Sequence, residues 1–488
     1  MQWLANLFHK RNSSSEASAP RVFLTNTASG IKELFISQKA REVTMYTCGP
    51  TVYSAIHIGN LRAYVFSDTL ARTLAAAGYR VKRVMNITDF GHLVSDADEG
   101  EDKMSKGLRR EGLALTLENM RTMAEKFAAL FIDDLAEMNV NIEELTFPRA
   151  SDFISEQIAL IRTLEQKGYA YRTSDGVYYD TARFPAYGKL GGINIAAQKE
   201  GTRVEINSEK RNPADFVLWK SDANLGWQSP WGMGFPGWHI ECSAMSRSLL
   251  GQEIDIHTGG EDLIPVHHNN EIAQSEAASG RTFVHYWIHN AFLNVNGEKI
   301  SKSLRNDVYL ADIVQKGISP LALRYFFLQA HYRTPISFSW DALAGAESAL
   351  ERLWRIARDI RVESGEKTAP SDARNRFLVA MRDDLGTSQA LGVLWDALKS
   401  EEYAPAEKWG LLLDADVHLG LSLETPPLGA NHVLSDAPKA IQVLLVDRES
   451  ARKAKDFKEA DRIRSEIEKG GYRVDDGPEG PVLIKNKV

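Results

Sequence analysis

The chain has only two cysteines, Cys48 and Cys242, and they stand far apart, with His267 and Glu271 following the second. Thiolate, imidazole and carboxylate are all zinc-ligand types and can share one tetrahedral site. His267 and Glu271 are four positions apart, so a helix would present both on one face. The same residues also read as two buried cysteines and an ordinary helix, and their discontinuous spacing leaves both readings open.

A second group of residues suits phosphate chemistry. His57-Ile58-Gly59-Asn60 falls where a strand hands over to a helix, so His57 and Asn60 can face a phosphate while Gly59 lets the backbone come close. Lys299-Ile300-Ser301-Lys302-Ser303 follows an Asn296-Gly297 turn and puts two ammonium groups on a loop. Such lysines would neutralise the charge that grows on a leaving pyrophosphate. Lys103-Met104-Ser105-Lys106 has a similar pattern, but it sits in an acidic stretch and lacks the following serine. In His257-Thr258-Gly259-Gly260-Glu261-Asp262 the glycines allow a flat base to approach, and Asp262 can accept from ribose hydroxyls. Trp238 either walls a small pocket or is a core residue.

These residues need a framework. Val43, Met45 and Tyr46 predict a strand from Glu42 to Cys48, Leu61 to Leu74 recur at helical spacing over Asn60 to Ala77, and Arg80 to Ile87 reads as a second strand. That β-loop-α-β unit places its loop at a helix N-terminus, where phosphate is favoured. Strand, helix and strand return at Glu253 to Ile256, Asn270 to Ala278 and Phe283 to Ile288. Between the halves lies an insertion with a long amphipathic helix bearing Met120, Phe127, Leu130 and Met138, then a helix over Phe153 to Leu164. Beyond about residue 340 the pattern turns helical, with Leu350, Leu353, Ile356 and Ile360 on one face.

With 488 residues the chain exceeds one core, and about two to four domains are expected. A net charge of −7 gives no global basic field, so any polyanion contact must be local. No apolar run approaches the roughly 20 residues of a membrane span. The scarcity of thiols argues against a secreted disulfide scaffold. The opening MQWLANLFHKRNSSSEASAP places its apolar patch before its basic residues, the reverse of a secretory signal, and reads as a disordered tail.

Taken in order, CGPTVYSAIHIGN, NITD, KRNPADFVLWK, SPWGMGFPGWHIECSAM, DIHTGGEDLIPVHHNNEIAQSEA and EKISKSLRN resemble the cysteinyl-tRNA synthetases, a class I aminoacyl-tRNA synthetase family. The resemblance runs from about residue 22 to the C-terminus, through MRDDLGT and ARKAKDFKEADRIR. It implies an α/β fold: a split Rossmann-like catalytic domain with an inserted connective-peptide domain, then a C-terminal α-helical bundle and a small anticodon-binding region. The implied division is a tail over 1–20, catalytic halves at 21–95 and 221–300 and the insertion at 96–220. A KMSKS loop with a stem-contact fold at 301–345, a bundle at 346–425 and an anticodon-binding region at 426–488 follow.

The resemblance further implies that cysteine and ATP give cysteinyl-adenylate and pyrophosphate, and that cysteine then passes to the terminal ribose of tRNA-Cys. HIGN fills the role of the HIGH signature and KISKS that of KMSKS, making His57, Asn60, Lys299 and Lys302 the catalytic set and Lys302 the expected ATP contact. Gly59, Gly260 and Asp262 complete the ATP site. Cys48, Cys242, His267 and Glu271 match the zinc ligands, while Gly49, Thr88, Trp238 and His257 match residues of the cysteine pocket. One Zn2+ per chain and Mg2+ with ATP are implied, in a cytoplasmic monomer with no membrane partner. Zinc gains a soft ligand from cysteine that serine cannot match, so no editing domain is required.

Three departures stand out. Asn60 replaces the commoner final histidine but keeps a hydrogen-bonding side chain, and NITDFGHLVSDADEGEDK is longer than the usual NITDxDDK. Val482 and Leu483 stand where a tryptophan is expected, which leaves anticodon contacts there unassigned. Two rivals remain: the cysteine ligase of mycothiol biosynthesis, which largely lacks the final helical segments, and a non-catalytic RNA-binding paralogue. A metallohydrolase is disfavoured because no separate general base accompanies the proposed zinc.

Overall fold

The computed structural model describes residues 20–90, 103–192, 208–300, 306–362, 368–426, 437–477 and 480–485. Its centre is a five-stranded parallel sheet in the spatial order Val284–Asn290, Ile254–Gly260, Glu42–Thr47, Arg80–Met85, Leu145–Thr146. Val43, Met45, Tyr46, Ile254 and Ile256 are buried, as expected of strands covered on both faces. The chain starts at Glu42–Thr47, builds outward on one side, then returns to build on the other. A crevice therefore opens between the carboxyl ends of Glu42–Thr47 and Ile254–Gly260, the place where such sheets take ligands. The helix Ile58–Ala76 makes the first crossover and buries Leu61, Val65, Leu70 and Leu74.

The sequence-level limits of the insertion and the sheet pairing differ. The helix Leu117–Glu137, capped by the Thr116 hydroxyl on Asn119, buries Met120, Met123, Phe127, Phe131 and Leu135. Leu130, expected on that face, is exposed, because the buried stripe passes through Phe131 instead. The helix leads to Leu145–Thr146, which pairs with Arg83 and Val84 in the parallel sheet, so part of the 96–220 segment completes the central sheet. A two-residue strand has no period to read. The inserted unit is an antiparallel sheet in the order Ala170–Thr173, Gly176–Tyr179, Phe216–Ser221, Gly232–Pro236, Trp227–Ser229, and it continues past residue 220. Its core residues Val177, Phe216 and Trp219 pack with Leu160 and Ile161, and with Ile240, Ala244, Ala273 and Ala277 of two catalytic-domain helices. Those two helices, Trp238–Leu250 and Asn269–Ser279, carry three of the four metal-ligand candidates or lead directly from them.

After the sheet, Leu293–Val295 turns into Glu298–Lys299 through Asn296 (φ 51°) and Gly297 (φ 85°), both left-handed as a two-residue Asn-Gly hairpin requires. Helices Trp340–Asp359, Ser371–Arg382, Thr387–Lys399 and Pro405–Leu419 follow as a bundle. The last unit pairs helices Lys439–Lys453 and Phe457–Lys469 with the hairpin Tyr472–Gly477 and Gly480–Lys485. Leu483 is fully buried there against Ile441, Ile463 and Ile467, so it serves as core. Among the described residues no helix is long and apolar enough to cross a membrane.

Buried charge locks the domain of the parallel sheet to the bundle. Asp68 accepts from Arg324 at 2.7 Å and Arg72 at 2.6 Å, with Arg83 at 3.4 Å. Arg324 also donates to the carbonyls of Leu419 at 2.6 Å and Met138 at 3.0 Å. Burial alone would raise the Asp68 carboxyl, but Arg324, Arg72 and Arg83 hold it well below the carboxylate range. Asp68→Ala leaves buried guanidinium groups without their anion and is expected to cost about 3–5 kcal/mol of stability. The measurement is urea unfolding, and an unshifted midpoint would show that Asp68 carries none of this load.

Candidate functional site

Four chain segments bring the metal-ligand candidates together. Cys48 follows the Glu42–Thr47 strand, its N–H donated to the Thr258 carbonyl at 3.1 Å. Cys242 lies in the first turns of Trp238–Leu250. His267 sits in a π-helical turn, Ile264–His268, that runs into Asn269–Ser279, whose first turn holds Glu271. One donor atom from each of Cys48, Cys242, His267 and Glu271 lies within 4.8 Å of all the others. His267 Nε2 is 3.0 Å from Glu271 Oε1, and Cys48 Sγ is 3.7 Å from the same oxygen. The other nitrogen of His267 meets His239 Nδ1 at 2.9 Å, which fixes the ring as an outer partner does in metal sites.

The electrostatics of the cluster favour a cation. Burial would raise Glu271, yet the His257 and His267 rings pull it down to about 2. Burial would lower His267, but Glu271 and Cys242 lift it to about 10. A hydrogen bond with Cys48 draws Cys242 down, while burial pushes the Cys48 thiol up. Two acidic groups and an imidazole thus crowd one buried spot. A second set, Cys48, His257, His268 and Glu271, also converges. It has a single thiol against two in the first set, so the first set is the softer one.

Beside this cluster a cavity of about 390 Å³ opens at the carboxyl ends of the central strands. Cys48, Gly49 and Trp238 line it, together with His57, Gly59, Asn60, Gly260 and Asp262. The indole of Trp238 packs on His267 with ring centroids 4.3 Å apart, so one wall joins the cluster to the cavity. His57 caps the helix Ile58–Ala76, which directs its N-terminus at the space. A Cβ on Gly49 would overlap the Asn86 carbonyl, one on Gly260 the Asp262 carboxylate. Backbone leaves no room for a side chain at Gly49, whereas at Gly260 the Asp262 side chain would have to move.

Thr88 and His257 stand behind the wall. The Thr88 hydroxyl donates to Glu241 at 2.7 Å and its carbonyl accepts from Val52 at 3.0 Å, clamping the loop after Cys48. His257 Nε2 lies 3.0 Å from Glu271 Oε2. Lys299 ends its short strand, and Lys302 lies outside the described residues. The chain on either side of Lys302 returns to the cavity: Ile300, Asp307 and Tyr309 line it, and Ile58 donates to the Val308 carbonyl at 2.9 Å. In the similar 103–106 pattern, Met104 is buried against Met120 and Met123, and Lys106 is exposed on a helix.

The sequence model of the class I (C) tRNA synthetase catalytic domain matches residues 34–348, and that of the cysteinyl-tRNA ligase anticodon binding domain matches 434–480. Cysteine–tRNA ligase 1 of Burkholderia lata is 46% identical over 457 residues, 92% of this chain and 94% of its own. The chain belongs to the cysteine–tRNA ligase family. The family's member from Caldicellulosiruptor saccharolyticus is 41% identical, with 95% of this chain and 100% of its own covered. Among solved structures, Mycobacterium tuberculosis methionyl-tRNA synthetase with methionyl-adenylate shares the fold, at a TM-score of 0.55 and 15% identity over 80% of this chain and 92% of its own. Within this cysteine–tRNA ligase fold, three buried partners escaped the sequence reading: His239, Glu241 and His268. The only available signals were the three-residue spacing of His239 and Cys242 and the tandem His267-His268.

Proposed function

We infer that the chain activates cysteine with ATP, releasing pyrophosphate, and then transfers cysteine from the adenylate to the terminal ribose of tRNA-Cys. The observation that carries this reading is the shared wall: a four-donor cluster adjoins the same cavity that a helix N-terminus, Gly260 and Asp262 line. Cys48, Cys242, His267 and Glu271 would hold one Zn2+, and their donor types and mutual separation suit it. When bound, the metal supplies a soft acceptor for the substrate thiol that a serine hydroxyl cannot use.

The chain's own groups do the rest. Trp238 and Gly49 shape the space for cysteine, and Thr88 and His257 brace it from behind. His57 and Asn60 hold phosphate oxygens at the helix N-terminus, Gly260 admits the base, and Asp262 accepts from the ribose. Lys299 and Lys302 meet the charge that develops on pyrophosphate, which travels with Mg2+ from ATP. The match over 434–480 favours tRNA over an amino sugar as acceptor, since that module has no use in the smaller ligase. A cytoplasmic monomer divided as the sequence implies completes the proposal.

Cysteine-dependent ATP–pyrophosphate exchange is the test, with serine as the competitor and tRNA charging as the second readout. Exchange with cysteine and none with serine is expected. Absence of exchange from folded, zinc-loaded protein would defeat the enzyme reading, and exchange without tRNA charging would return the amino-sugar alternative.

A further inference from the structure

Arg62 lies one turn into the helix whose N-terminus carries His57 and Asn60. Its side chain is buried, only 2% exposed, and both terminal nitrogens of its guanidinium donate to backbone carbonyls. Nη1 donates to Ala291 and Phe292, both at 2.8 Å. Nη2 donates to Thr334 at 2.7 Å and to His331 and Tyr332 at 3.3 Å. The Phe292 peptide is gripped from further sides, because its N–H is donated to Glu261 at 2.9 Å and its carbonyl also accepts from the Ile336 N–H at 3.2 Å.

The two gripped segments are the roots of one small sheet. Ala291 and Phe292 lead into Leu293–Val295, and Thr334 leads into Ile336–Phe338, which pairs parallel with it. Leu293–Val295 also pairs with Glu298–Lys299, the strand that delivers the 299–303 segment. At the end of that strand the Ile300 side chain reaches back to the nucleotide turn, 3.0 Å from where a Cβ on Gly59 would stand. A rigid fork on the first helix therefore holds the sheet whose last strand, Glu298–Lys299, leads into the 299–303 segment.

We propose that Arg62 is a positioning residue for adenylation, setting the lysine-bearing segment against the His57 to Asn60 turn. This rests on the roles assigned to Lys299 and Lys302 above. A lysine at position 62 keeps the charge but is a point donor and cannot span the two segments that the planar fork joins. Misplacement by about 1 Å far from the reacting atoms can cost about a hundredfold in rate.

Arg62→Lys is thus expected to lower kcat for cysteine-dependent exchange by about a hundredfold. The KM for cysteine and the zinc content should stay within about twofold, because the cluster makes no contact with the fork. Amide hydrogen exchange over 293–299 should quicken while that over 254–260 does not. A general packing defect would instead move both regions and the KM together, and that pattern, or an unchanged kcat, overturns the proposal. Ile336→Pro tests the same root from the other side, since it removes one donor to Phe292 at a first strand position, where proline is tolerated. The same split is expected at about tenfold, and it decides the matter should Arg62→Lys not fold. Wild-type protein without exchange would defeat the function reading instead, while the amide comparison still tests the pivot.

Discussion

Cys242→Ser protein is expected to retain far less than one zinc per chain and to show a KM for cysteine raised by at least about a hundredfold. Loss of an outer-shell partner alone typically costs 10 to 100-fold in metal affinity, and Cys242 would be a direct ligand. Its thiol is 1% exposed, and the hydrogen bond with Cys48 draws it down toward the ionised form that a metal takes. A serine hydroxyl of nearly the same size neither ionises there nor offers a soft donor. Because the replacement is close to isosteric, folding should survive it. The nucleotide side of the cavity, formed by His57, Asn60 and Asp262, belongs to other elements, so ATP affinity should change little. Metal analysis and calorimetric titration with cysteine and with ATP separate the effects. Unchanged zinc together with unchanged cysteine affinity would refute the ligand assignment.

That experiment probes a cluster that residue types and spacing left open between metal ligands and ordinary buried residues, and that the fold brings together. His267 and Glu271 could be paired from helical spacing alone, and the structure brings them to 3.0 Å. Cys48 and Cys242 carry no such spacing, and only the sheet topology joins them. Glu42–Thr47 and Ile254–Gly260 are remote in sequence but adjacent in the sheet, and the crevice between them collects the loop after each. Strands with several apolar residues were readable, whereas Leu145–Thr146 was not, because two residues define neither period nor face. Outer partners were missed for a similar reason. His239 and His268 differ from ordinary buried histidines only in what they touch, and contacts across segments leave no local trace. Arg62 is the clearest case, since its acceptors are backbone carbonyls and any sequence could supply them.

The choice between the two lysine motifs makes the second large prediction. Lys302→Ala is expected to slow cysteine-dependent exchange by about 10²–10³-fold, as loss of one preorganised charge donor commonly does. Cysteine affinity and zinc content should be unmoved, because the proposed metal ligands are Cys48, Cys242, His267 and Glu271 and none belongs to the 299–303 segment. Lys106→Ala should alter the rate by less than about twofold. Lys106 is exposed on a helix whose Met104 is committed to packing against Met120 and Met123, so that pattern is used for structure. By contrast, Ile300 and Tyr309 flank Lys302 in sequence and both line the cavity. A charge acting on departing pyrophosphate should affect kcat more than the KM for ATP, since the charge it stabilises develops mainly in the transition state. Equal losses at the two lysines, or a loss confined to ATP binding, would remove Lys302 from the catalytic set and leave the nucleotide chemistry to the helix N-terminus at His57.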